Sequence, residues 1–130
     1  MANPNIVSVT TILGGNAGWN LSASATDTLM TVASDVVVKL NRVTVANVDG
    51  TNAADLTLSV TKSNFTPDGV ANFDTSGTFH LAKTVSVPAD ATLVILDTPI
   101  YLMEGDVLKG GAGAASDLEL FVSYESIDDA

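Results

Sequence analysis

The stretch Asp55-Leu56-Thr57-Leu58-Ser59-Val60-Thr61-Lys62 decides the fold. Leu56, Leu58 and Val60 recur at every second position, with polar residues between them. Side chains alternate across a β-strand, so this is a strand with one face toward a core and the other toward water. The pattern returns near the C-terminus, where Leu118, Leu120, Val122 and Tyr124 alternate with Glu119, Phe121, Ser123 and Glu125. Antiparallel sheets with one solvated face produce such alternation.

Further strands flank these two. Residues 6–13 read as a first strand rich in Val, Ile and Thr, closed by a turn at Gly14-Gly15. Residues 21–32 read as two short strands or one interrupted strand. Residues 36–47 make a long strand whose alternation slips between Leu40 and Val43, and a bulge at Asn41-Arg42 returns both halves to the core face. Residues 79–87, 91–96, 100–103 and 107–109 complete the set. Asp49-Gly50 opens the loop 49–55 between two strong strands and reads as a hairpin connection. Pro88-Ala89-Asp90, Asp97-Thr98-Pro99 and Glu104-Gly105-Asp106 are turn signals, and residues 110–115 read as a loop or bulged edge.

About eight short strands with no helical period predict an all-β fold, an antiparallel β-sandwich or jelly roll, with residues 1–130 as a single domain. Residues 64–78 (NFTPDGVANFDTSGT) stand apart as a protruding loop or hairpin carrying Phe65 and Phe73. Contacts concentrate on loops held by a rigid scaffold, which makes both rings candidate interface residues. The competing reading has the rings pin this excursion to its own sandwich.

Composition narrows the function. The chain is 46% apolar and 15% charged, enough for a real core, since a domain of this length buries roughly two-thirds of its unfolded surface. Fifteen Asp and Glu against five Lys and Arg give a net charge of −10. Twelve of the acids are Asp, a residue of turns and strand ends. Five scattered cations make no basic footprint for nucleic acid and no attraction to an anionic membrane surface. An acidic exterior suits solubility and docking onto a basic patch. With no cysteine there is no disulfide, thiolate zinc site or cysteine nucleophile. The opening Met1-Ala2-Asn3-Pro4-Asn5 does not read as a signal peptide, and no apolar run approaches the roughly 20 residues of a membrane span, so a soluble protein is expected.

No catalytic set emerges. His80, the only histidine, lies between Phe79 and Leu81 and faces out if they face in, with no partner at a fixed spacing. No Gly-x-Ser-x-Gly elbow occurs. Glu104 and Asp106 flank a glycine as a turn does. The loop 49–55 offers oxygen ligands for calcium but fails the EF-hand spacing. Gly14-Gly15-Asn16-Ala17-Gly18 lacks the Lys-Ser/Thr of a phosphate loop and reads as a turn. No cofactor, metal or catalytic residue is therefore assigned. Trp19, the sole tryptophan, either plugs the end of the sandwich or sits at an interface, and joins Phe65 and Phe73 as an interface candidate.

Several blocks resemble a family of small virion structural proteins of tailed phages, especially those infecting marine and freshwater cyanobacteria. They are Asn3-Pro4-Asn5-Ile6-Val7-Ser8-Val9-Thr10-Thr11-Ile12-Leu13-Gly14, the run from Val45 through Asp55, and the run from His80 through Leu93. Tyr101-Leu102-Met103-Glu104-Gly105-Asp106, Ala114-Ala115-Ser116-Asp117-Leu118-Glu119 and Ser123-Tyr124-Glu125 continue the resemblance. Residues 17–35 and 64–78 match least. The resemblance implies a non-enzymatic virion protein. Size, expected solubility, acidity, the all-β pattern and the absence of a site point first to a capsid decoration (cement) protein on the outer shell, second to a neck, tail or baseplate component. Its partners would be the major capsid protein or other virion proteins, with self-association as a homo-oligomer, a trimer being one form, and a soluble stage in the host cytoplasm. A carbohydrate- or receptor-binding module is a third reading, which the 5% aromatic content disfavours.

Overall fold

The computed structural model describes residues 11–62 and 76–128. They form nine strands: β1 (Thr11–Asn20), β2 (Thr28–Thr31), β3 (Val36–Asn47), β4 (Ala54–Lys62), β5 (Gly77–Val87), β6 (Thr92–Leu96), β7 (Ile100–Leu102), β8 (Val107–Ala112) and β9 (Leu118–Asp128). Among the described residues no helix is long and apolar enough to cross a membrane.

The strands make two antiparallel sheets. The first runs β1-β9-β3-β6, with β7 also paired to β3; the second runs β2-β8-β4-β5. β6 and β7 lie end to end along β3, opposite residues 43–46 and 38–40, and the chain breaks between them at Asp97-Thr98-Pro99. Taken together as one strand, they complete the strand order of a jelly roll, in which nearly every connection crosses from one sheet to the other. Only β4 and β5 are consecutive and paired in one sheet, with Lys62 opposite Gly77.

The alternation predicts the core well. Leu56 and Leu58 from β4, Leu118 and Val122 from β9, and Leu40, Val43 and Val45 from β3 have no exposed surface. Val60, Leu120 and Leu108 join them between the sheets. Asn41 is the extra residue of a bulge against β9, and by absorbing the slip it leaves both Leu40 and Val43 in the core.

Three sequence expectations are corrected. Gly14-Gly15 does not close a strand and residues 14–18 are not a turn: they lie inside β1, which pairs with β9 through ten consecutive positions. The glycines mark close approach, because rings of β9 fill the space that side chains would take. A Cβ on Gly15 would lie 2.8 Å from Cζ of Tyr124, and one on Gly18 would lie 3.2 Å from Cδ1 of Phe121. The loop 49–55 is not a hairpin, since β3 and β4 belong to different sheets. Alternation reports a buried face without saying which sheet owns it. Residues 110–112 are neither loop nor edge, but the last half of β8, an interior strand between β2 and β4. There the backbone of residues 22–27 runs alongside, with Ala112 N–H donating to Ser22 O at 2.8 Å and Gly110 N–H to Asp27 O at 3.1 Å. Ser24 O lies only 2.2 Å from where a Cβ on Gly111 would stand.

Smaller differences follow edge geometry. Residues 21–32 yield one short strand, β2, preceded by the buried Leu21. His80 is exposed as expected, yet Phe79 and Leu81 are exposed too, because β5 is an edge strand whose register shifts on either side of Leu58. The first part of the strand expected at 6–13, and most of the excursion at 64–78 with Phe65 and Phe73, lie outside the described residues.

Candidate functional site

The outer face of the five-stranded sheet is built by the residues that alternate with the core. The registers set Gly18, Phe121, Thr44 and Val94 in one row across β1, β9, β3 and β6. Asn20, Glu119, Ala46 and Thr92 form the next row. Gly14, Glu125, Lys39 and Tyr101 form another, across β7 in place of β6. Phe121, Tyr101 and Val94 are each about half exposed, at 51%, 50% and 47%. The small residues Gly18, Thr44 and Ala46 lie low around Phe121, leaving a shallow groove bounded by Asn20 and Glu119. The same face also carries Lys39, Arg42, Glu119 and Glu125 in the neighbouring rows. Phe121 was legible as an apolar residue in the polar half of the C-terminal alternation.

Trp19 faces the other way. It lies on the inner face of β1, across from Leu120, and packs half-buried against the core. It closes the open side of the sandwich from within the edge strand. Leu13 shares that inner face by alternation but is 61% exposed.

Two polar constellations hold the ends of the sandwich. Asn47, 3% exposed, donates its side-chain amide to Val87 O at 2.9 Å and Asn52 O at 3.0 Å, and its Oδ1 accepts from Asp49 N–H at 2.9 Å. It thereby ties the crossover loop from the first sheet to the end of β5 in the second. Asp49 in turn accepts from Thr51 N–H at 2.8 Å, Asn52 N–H at 3.3 Å and the Asn52 side-chain amide at 3.3 Å. Those donors, the Thr51 amide foremost, hold its carboxyl below the ordinary aspartate range.

At the opposite end Asp106, 1% exposed, accepts from Lys62 Nζ through both oxygens, at 2.9 and 2.7 Å, and from Met103 N–H at 2.8 Å. Its backbone carbonyl accepts from Val32 N–H at 2.9 Å. Glu104 turns away to accept from Asp35 N–H at 3.2 Å, so the Glu104-Gly105-Asp106 carboxylates do not form a dyad. The Lys62–Asp106 pair carries no local sequence signal, because its partners lie 44 residues apart, whereas Asn47 joins local partners, Asp49 and Asn52, to the remote Val87.

The described residues bring no catalytic set together. His80 stands across from Ser59, with Lys109 beyond it on β8, a row without a carboxylate. No group of three or more His, Cys, Asp or Glu that could hold a metal occurs among the described residues.

No family model matches the chain, and no curated protein does. Among solved structures it is similar to the disulfide-linked pili of Bacillus endospore appendages, at 12% identity and a TM-score of 0.44, over 92% of this chain and 90% of that one. It is similar to VP2 of the infectious bursal disease virus subviral particle, at 14% identity and a TM-score of 0.39, over 92% of this chain and 32% of that one. A pentameric capsid protein from metagenomic phage sequences gives 15% identity and a TM-score of 0.27, over 93% of this chain and 64% of that one. With TM-scores below 0.5, none of these likenesses assigns the chain a family or a role.

Proposed function

We propose that this protein is a non-enzymatic structural component of a phage particle, a decoration protein that binds the outer shell in many copies through the outer face of its five-stranded sheet. The observation that carries the reading is the half-exposed Phe121 on the outer face of the sheet, with the half-exposed Val94 and Tyr101 on the same face beyond β3. Interface energy concentrates in such aromatic anchors, with a polar rim that excludes water. The resemblance to small virion proteins supports it, and so does the acidic exterior, which complements a basic shell surface. The jelly roll is compatible with the role without implying it, since one fold hosts many functions. A protein that binds only the assembled lattice stabilises that lattice by mass action.

The test is add-back to purified particles that lack the protein. Wild-type protein should bind to saturation at hundreds of copies per particle and raise the temperature at which shells open. Phe121→Ser, at a half-exposed position outside the core cluster, should fold normally and bind at least tenfold more weakly. Saturation at a handful of copies at one vertex would move the protein to the neck, tail or baseplate. Undiminished binding by Phe121→Ser would remove this face from the reading.

A further inference from the structure

We infer that the outer edge of β1 pairs antiparallel with β1 of a second copy, joining two five-stranded sheets into one. An edge strand presents a row of unpaired amides and carbonyls, and proteins blunt such edges with short strands, proline, charge or bulges. Three edges of this sandwich are blunted in those ways. β2 has four residues. β6 and β7 have five and three, broken by Pro99. β5 is long, but it carries two register shifts, Lys83 and a left-handed Thr84 (φ 47°). β1 has none of these protections. It runs ten residues in unbroken register with β9, contains no charged residue, and among the described residues pairs with no other strand.

Charge permits a second copy at this edge, and the apolar match of Leu13 with Trp19 selects it. Each copy carries −10, so two copies can approach closely only where the facing strip is neutral, and the Thr11–Asn20 edge is such a strip. Apolar complementarity selects the register. With Asn16 opposite Asn16 about a twofold axis, Leu13 of each copy lies opposite Trp19 of the other, on the inner face of both sheets. These two side chains are left uncovered along the open side of the sandwich, Leu13 at 61% exposure and Trp19 half-buried. Directly opposed apolar pairs are the stabilising unit of a sheet. The pairing also gives Trp19 its place at an interface without removing it from its own core. It does not depend on the shell reading, because self-association is measured in the absence of particles.

The experiment is sedimentation velocity on the full chain over a concentration series reaching the solubility limit. A monomer–dimer equilibrium is expected. Asn16→Lys, on the exposed outer face, places like charges across the axis and should weaken self-association at least tenfold. His80→Lys on the β5 edge should leave it unchanged, and unaltered circular dichroism shows that both variants fold. Because the chain has no cysteine, Asn16→Cys provides an independent readout: mild oxidation should give a disulfide-linked dimer, whereas Lys83→Cys should not. A wild-type monomer at every concentration overturns the inference. So does a trimer, which a twofold strand pair cannot close, or a dimer that survives Asn16→Lys and is cross-linked at Lys83→Cys instead.

Discussion

Asn47 shows how much one buried side chain can hold. Its amide and carbonyl serve three backbone groups from β5 and the crossover loop. Asn47→Ala should destabilise by about 3 kcal/mol, because each buried group left without its partner costs about 1–3 kcal/mol; denaturant unfolding measures it. The Lys62–Asp106 pair makes a second residue-scale prediction. Asp106→Leu leaves the Lys62 ammonium, 20% exposed, without its carboxylate and should cost on the order of 3 kcal/mol. Adding Lys62→Met should recover most of that loss, since an apolar pair replaces an ion pair better than half of one does. A double variant no more stable than Asp106→Leu would show that the Asp106 side chain acts through Met103 N–H instead. Asp49 gives a pH prediction. Its carboxyl is lowered in the folded state, so the unfolded chain binds its proton more readily. The stability it contributes is present above the ordinary aspartate range and is lost as pH falls through the lowered value. Thermal unfolding of Asp49→Asn should therefore differ from wild type near neutrality and converge with it in acid.

At the scale of elements, strands of ordinary composition were legible and glycine-containing ones were not. Leu56-Thr57-Leu58 and Leu118-Glu119-Leu120 report their burial through period-2 spacing, whereas Gly14-Gly15-Asn16-Ala17-Gly18 and Gly110-Gly111 look like loops. Their strand character comes from what occupies the missing side chains, and those occupants, Tyr124, Phe121 and Ser24, are remote in sequence. The difference between the two sites is testable. Gly111→Ala meets backbone at 2.2 Å and should destabilise by about 1–3 kcal/mol. Gly15→Ala meets the far end of the Tyr124 ring, which can swing aside, and should cost less. Thr84 offers the opposite sign: a β-branched residue at φ 47° is strained, and Thr84→Gly should raise the melting temperature if its bulge serves only to blunt the edge.

For the molecule as a whole, the fold class was written in the alternation, but the sheet membership of each strand was not. The hairpin expected at 49–55 failed for that reason, since Val45 and Leu56 both show a buried face while sitting in different sheets. The interaction face was half legible, with Phe121 visible as a misfit but its neighbours Val94 and Tyr101 supplied only by the register. Both sheets share one core, so thermal unfolding should be a single cooperative transition with no separate melting of either sheet; calorimetry checks it. The pairing of β1 with β9 carries a further consequence. β9, the last of the nine described strands in chain order, must slot between β1, the first of them, and β3. Until it does, the folding chain holds two raw edges apart with nothing between them, and non-local pairing of this kind is slow to form. A chain cut off within β9 would leave both of those edges open and is expected to aggregate.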